Sequence, residues 1–284
     1  MNELELLGRL LPYLAPAGGD LVIGAGEDDA AAWREPDGRF TVATCDTAVE
    51  GVHFDLARQL PEDVGWRALA FALGDLAAKG AQPSYGLAAL SLPRAWGAPV
   101  AERLYSGMAK LAREVGCRLV GGDTTVAPEH GVLTITALGV TPTRPLPRAA
   151  ARPGWQVGVT GPLGGAGLEW ARPRPRLALG AELCAAGLCC GDISDGLLRE
   201  LDKFALAAEV GARLHLDAVP RAEGATALRA IASGEEVELV CVGPAPLPPS
   251  LHPVGELTGD GKVVVLDGEG NRVDVADRGW DHFA

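Results

Sequence analysis

The sequence predicts an α/β (α+β) protein of two domains, and three observations carry that expectation. Short apolar, β-branched runs such as Phe40–Cys45 alternate with longer stretches whose apolar residues recur at helical spacing, such as Pro61–Lys79. A chain of 284 residues has room for two cores of ordinary size. Between them Pro142–Pro153 carries four prolines and three arginines, reads as an interdomain link, and divides the chain into residues 1–141 and 142–284.

In the first part, Glu3–Leu14 has Leu4, Leu7, Leu10, Leu11 and Leu14 at helical spacing and stops before Pro16. Leu21–Ile23 is a brief strand that runs into Gly26-Glu-Asp28-Asp29. Ala30–Arg34 and Arg39–Cys45 flank Pro36-Asp-Gly, a hairpin signal. The second of these strands is expected to break at Asp46 and turn through Glu50-Gly51 into His53-Phe54. Pro61–Lys79 is a helix, apolar or glycine at every position from Ala68 to Ala78 except Asp75, and a helix apolar all round is buried. A buried carboxylate costs on the order of several kcal/mol unless something pairs it. The only basic residue at helical spacing is Lys79, and a metal ion or its bound water is favoured over that pair. Tyr85–Leu92, Cys117–Val120 and Val132–Val140 read as strands and Val100–Glu114 as a helix. Gly121-Gly-Asp123-Thr-Thr125 reads as a turn.

In the second part, Trp155–Thr160 enters Gly161-Pro-Leu-Gly-Gly-Ala-Gly167, a loop whose amides could wrap phosphates. Pro173–Arg176 is an irregular link. Leu188–Cys190 runs into Asp192-Ile-Ser194-Asp195-Gly196 and a helix from Leu197 to about Glu209, with Ser194 or Asp195 as the expected cap. Ala212–Leu216, the run from Glu235 to Val242, Val254–Glu256, Lys262–Leu266 and Arg272–Val275 are strands. Ala225–Ser233 is helical, and Pro244–Pro253 is a proline-rich loop.

Composition limits the function. The net charge of -12 argues against nonspecific nucleic-acid binding, which needs a basic face. None of the four lysines (Lys79, Lys110, Lys203, Lys262) precedes Ser or Thr, so the phosphate-binding P-loop is absent. No apolar stretch approaches the roughly 20 residues of a membrane span, and Glu3 and Glu5 interrupt the only early apolar run, so no signal peptide is expected. The six cysteines form no CxxC pair and read as buried free thiols of a cytosolic protein. Against that background, aspartates recur where apolar runs end: Asp28-Asp29, Asp46, Asp123, and Asp192 with Asp195. With Asp75 they suggest a metal–phosphate site.

Taken together, Gly26-Glu-Asp-Asp-Ala-Ala31, Cys45-Asp-Thr-Ala-Val-Glu-Gly-Val-His-Phe54, Gly74-Asp-Leu-Ala-Ala-Lys-Gly-Ala81, Gly121-Gly-Asp-Thr-Thr125, Ala151-Arg-Pro-Gly154, Asp192-Ile-Ser-Asp-Gly-Leu197 and Gly279-Trp-Asp-His-Phe283 resemble the thiamine-monophosphate kinases. These belong to the superfamily of aminoimidazole ribonucleotide synthetase and selenophosphate synthetase. The resemblance covers nearly the whole chain. It implies that fold, with the N-terminal sheets of two subunits closing a barrel in a cytosolic homodimer. It implies ATP as co-substrate, thiamine monophosphate as acceptor, and direct phosphoryl transfer helped by several Mg²⁺ ions. By the family's pattern Asp29, Thr44, Cys45, Asp46, Asp75, Asp123, Asp192 and Asp195 would hold the metal. Gly122, Asp123, Arg148 and Ser194 would meet ATP, and His53, Glu235 and Trp280 would meet thiamine monophosphate. Cys45 stands where a hydroxyl residue is usual, and Ser233-Gly-Glu-Glu-Val-Glu-Leu239 stands where the family reads Gly-Gly-Glu-Asp-Tyr-Glu-Leu. Another ATP-dependent enzyme of the superfamily and a noncatalytic Mg-nucleotide-binding homologue are the alternative readings.

Overall fold

Two sheets and the helix wedged between them set the architecture. The computed structural model describes residues 3–166 and 172–283, without the side chain of Leu4. After α1 (Glu3–Leu10) come β1 (Leu21–Ile23), β2 (Ala31–Arg34), β3 (Phe40–Val49), α2 (Pro61–Ala78), β4 (Gln82–Pro93), α3 (Gly97–Val115), β5 (Arg118–Ala127) and β6 (Val132–Thr141). The strands form one sheet in the order β1-β2-β3-β6-β4-β5, antiparallel throughout except for the parallel β4–β5 edge. Along β6 Leu133, Ile135 and Ala137 are buried while their neighbours are half-exposed, the alternation of a sheet covered on one face. The cover is α2 and α3, whose Leu69, Leu73, Leu76, Leu104 and Met108 pack with Ile23, Val42 and Leu90.

The second sheet uses β7 (Gln156–Val159), β8 (Cys189–Asp192), β9 (Gly211–His215), β10 (Leu239–Gly243), β11 (His252–Thr258), β12 (Val263–Leu266) and β13 (Arg272–Val273). Its order is β13-β12-β9-β11-β7-β10-β8. Three helices accompany it: α4 (Leu177–Ala185), α5 (Leu197–Ala208) and α6 (Ala227–Ala232). Leu197, Leu201 and Phe204 of α5 cover Val157, Val240 and Leu214. This is the mixed α/β architecture that the sequence predicts.

Helix α2 belongs to both cores. Its leucines fill the first, while Ala77 and Ala78 pack with Leu183, Leu188, Cys190, Leu239 and Leu251 of the second part. The approach of α4 to α2 is close enough that a Cβ on Gly180 would come 2.0 Å from the carbonyl oxygen of Ala77. That double contact explains why the helix is apolar all round.

Several local expectations are corrected. β3 does not break at Asp46 but pairs with β6 through to Val49. Gly121-Gly-Asp-Thr-Thr is not a turn; it lies inside β5, with Asp123 opposite Ala89 of β4. The strand expected from Glu235 begins only at Leu239, because Glu235 and Val237 have φ of 64° and 45°. The residue capping α5 is Gly196, without a side-chain cap bond, rather than Ser194 or Asp195. Gly167, the end of the expected glycine-rich loop, lies outside the described residues.

Candidate functional site

A cleft of about 540 Å³ opens between the two parts of the chain. Its walls come from β3 and the turn after it, the side of α2 that carries Arg67, Phe71 and Asp75, the segment after β8, α5, the segment before β10, and the C-terminal residues. Strand alternation decides what β3 contributes. Thr44 and Asp46 share one face, and Asp46 lines the cleft, whereas Cys45 is exposed on the other face, where Thr136 Oγ1 lies 3.6 Å from its Sγ.

Asp29, Asp75 and Asp192 each offer an oxygen, and the three lie within 4.8 Å of one another. Thr44 Oγ1 donates to Asp75 Oδ2 at 2.5 Å. Asp192 Oδ1 is buried without a hydrogen-bond partner among the described residues. Burial raises the Asp75 and Asp192 carboxyls well above the ordinary range. The charges of Asp192, Asp46 and Asp29 add to the shift of Asp75, and those of Asp29, Glu200 and Asp46 to that of Asp192. Asp46 is pushed up to about 7 by burial and by Asp29 and Asp195. An orphaned carboxylate oxygen beside crowded carboxylates, with oxygen as the only donor atom, fits a hard divalent cation such as Mg²⁺.

Behind these groups lies a buried ion network. Lys79 does not pair with Asp75; its Nζ donates to Asp28 Oδ2 at 2.5 Å and to the Cys190 carbonyl at 2.6 Å. Arg148, 3% exposed, donates to Asp28 Oδ1 at 3.0 Å, to Glu200 Oε2 at 2.6 Å and to Asp29 Oδ2. Lys203 Nζ lies 2.9 Å from Asp195 Oδ2, and 2.6 Å from Glu200 Oε1 at angles poor for a hydrogen bond. Desolvation opposes ionisation of Asp29, but Arg148 and Lys203 reverse it and hold that carboxyl well below its usual range.

Aromatic and imidazole groups supply the remaining wall. His53 Nδ1 accepts from the Val49 amide at 3.0 Å, and its ring centroid lies 5.2 Å from that of His282. Trp280 Nε1 donates to His282 Nδ1 at 3.0 Å, and the Trp280 amide donates to the Asp195 carbonyl at 2.9 Å. Burial, and then His282, lowers the pKa of His53. Glu235 pairs with Arg67 at 2.5 Å, and the Arg67 guanidinium lies 5.4 Å over the Phe71 ring. The amides of Gly164 and Ala166 donate to Glu236 Oε1 at 2.7 and 3.3 Å. A carboxylate thus takes two of the loop amides that the sequence reserves for phosphate.

Of the residues singled out in the sequence, Asp29, Asp46, His53, Asp75, Asp192, Ser194, Asp195, Glu235 and Trp280 line the cleft together. Thr44 stands behind Asp75, and Arg148 behind Asp29. Gly122 and Asp123 are exposed on the edge strand β5 and, like Cys45, are not among the lining residues. Sequence reasoning misses Asp28 as a network partner, and Arg67, Lys203, Arg229 and His282 as lining residues. Arg67 had a signal, since it is charged and sits beside the apolar run of α2. Lys203 had none, because Glu200 and Lys203 read as an ordinary i,i+3 pair on a helix.

Comparison with known proteins adds four findings. Residues 27–141 match the family model "AIR synthase related protein, N-terminal domain". The chain is 31% identical to the thiamine-monophosphate kinase of Escherichia coli K12 over 100% of this chain and 98% of that one. It is 33% identical to that of Bacillus subtilis over 72% and 70% of the two chains. The solved structure of AaThiL complexed with AMPPCP and TMP superposes with a TM-score of 0.85 at 25% identity, covering 99% of this chain and 97% of that one.

Proposed function

The chain belongs to the thiamine-monophosphate kinase family, and from that premise we propose that its cleft passes the γ-phosphoryl group of ATP directly to the phosphate of thiamine monophosphate. The observation that carries the reading is the meeting of two unlike sets of side chains in one cleft. One is the carboxylates Asp29, Asp46, Asp75, Asp192 and Asp195; the other is His53, Trp280 and His282. Donor and acceptor are both polyanions, so the obstacle is their repulsion, and the acceptor oxygen is already deprotonated near neutral pH. The chain therefore needs no general base, only positioning and charge neutralisation.

Mg²⁺, when bound, would supply that neutralisation as a Lewis acid. Asp29, Asp75 and Asp192 would hold it, joined by Asp46 and Asp195, with Thr44 fixing Asp75 through its hydroxyl. Arg148 acts by holding Asp29 in place, and Ser194 meets the nucleotide. Trp280, 48% exposed, offers a flat face to the acceptor's heterocycle. His53 and Glu235 bound the same pocket, and Arg67 brings a positive charge beside Glu235. Gly122, Asp123 and Cys45 lie outside this cleft, and no role in it is assigned to their side chains.

The protein is further read as a cytosolic homodimer of subunits divided at residues 1–141 and 142–284. All six cysteines are free thiols, and among the described residues no helix is long and apolar enough to cross a membrane. Purified protein given ATP, Mg²⁺ and thiamine monophosphate should release ADP and thiamine diphosphate in equal amounts. No label from γ-labelled ATP should remain on the protein. ADP release indifferent to thiamine monophosphate would overturn the reading.

A further inference from the structure

Three cations line the cleft among the described residues, and they are used differently. Arg67 pairs with Glu235, and Arg229 donates to the carbonyls of Gly164 and Ala166. Lys203 goes to the aspartates. Its ammonium is 2.9 Å from Asp195 Oδ2 and 3.8 Å from Asp29 Oδ2, and its side chain is 17% exposed at the cleft wall.

We propose that Lys203 is a resident counter-ion: it occupies the Asp195 side of the carboxylate cluster and competes there with divalent cations. The proposal rests on the metal reading above and deepens it. The geometry makes the carboxylates unequal. A cation entering among Asp29, Asp75 and Asp192 meets an oxygen, Asp192 Oδ1, that has no hydrogen-bond partner. A cation reaching for Asp195 has to displace an ammonium already in contact with it.

The displaced group does not leave. Glu200, fully buried and itself held by Arg148, lies 2.6 Å from the Lys203 ammonium and tethers it at the wall. Opposite charges at such distances in a partly desolvated cleft attract strongly. Lys203 therefore sets an order of filling, with the Asp29–Asp75–Asp192 side first and the Asp195 side second. Once displaced, its ammonium is free to meet an anionic oxygen of the bound substrates. Lys203 is thus a positioning residue for charge rather than a member of the reacting set.

The test is a Mn²⁺ titration of the nucleotide-free protein, reading free Mn²⁺ by electron paramagnetic resonance, for wild type, Lys203→Met and Lys203→Arg. Lys203→Gln, which keeps a polar head beside Glu200, replaces the Met variant if that one fails to fold. The neutral variant should bind its weakest Mn²⁺ at least tenfold tighter than wild type, with Lys203→Arg close to wild type. Unchanged or weaker binding in the neutral variant, with wild type binding Mn²⁺ normally, overturns the proposal and leaves the metal reading standing. A merely structural Glu200–Lys203 pair predicts that outcome, with only a lowered melting temperature. Failure of every protein to bind Mn²⁺ overturns both.

Discussion

Asp75 is 5% exposed in the last turn of an apolar helix, held by one hydroxyl and surrounded by other carboxylates. Its raised pKa means that folding favours its protonated form. Its stabilising share is complete below about pH 3.9, the unfolded value, and is lost as pH rises through the folded value. At pH 8 in EDTA, Asp75→Asn should therefore melt a few degrees above wild type, whereas with Mg²⁺ and both substrates present its turnover should fall by about a hundredfold or more. Adding Mg-ATP should raise the melting temperature of wild type much more than that of the variant, since a ligand stabilises the state that binds it. Near-normal turnover with an unchanged magnesium response would refute the assignment. His53 runs the other way. Burial and His282 lower its pKa, and its Nδ1 already accepts the Val49 amide. The stabilisation from keeping it neutral is present above about pH 6.5 and is lost as pH falls toward its folded value. Its imidazole signals in a magnetic resonance titration should show a midpoint below about pH 6.5, and a midpoint above it would contradict the packing.

At the level of the element, β5 shows where local sequence misleads. Gly121-Gly-Asp has the chemistry of a turn, yet parallel pairing with β4 makes it strand, and that pairing joins segments separated by the whole of α3. Gly122 has a φ of 154°, and a Cβ there would come 1.8 Å from the Ala88 carbonyl oxygen. Gly122→Ala should push β5 away from β4 and lower stability by about 2 kcal/mol or more, read as an earlier urea midpoint. An unshifted midpoint would mean that the edge strand adapts freely. By contrast α2, β6 and the β2–β3 hairpin are legible because their patterns are long or carry turn chemistry that tertiary contacts reinforce. Helix α4 escapes notice because it is short and begins just after Pro173 and Pro175, where the sequence reads as a link. The aspartates of the site are legible because a carboxylate at the end of an apolar run is anomalous in itself. The partners that hold them are not: Arg148 looks like part of a proline-rich linker, and Asp28 and Lys79 are brought together only by folding.

For the whole molecule, the open face of the first sheet calls for a partner. Tyr85 and Leu87 of β4 are 41% and 39% exposed, and Val120 at the adjoining bulge of β5 is 58% exposed, while Ala88 and Leu90 of β4 fill the core. A second sheet laid over that face would complete a barrel and remove the exposed apolar surface. Light scattering at micromolar concentration should give twice the subunit mass of 29.3 kDa, and a monomer would refute it. The shared helix α2 has a consequence of another kind, in the time it takes to make the chain. Ala77 and Ala78 emerge from the ribosome early, but Leu239 and Leu251, which cover them, are synthesised far later. At roughly 5–20 residues per second, that face stays bare for on the order of ten seconds. A fragment ending at Thr141 never receives its cover. It should precipitate when expressed alone, where the full chain stays in solution, and the nascent protein should lean on chaperones until its last third has been made.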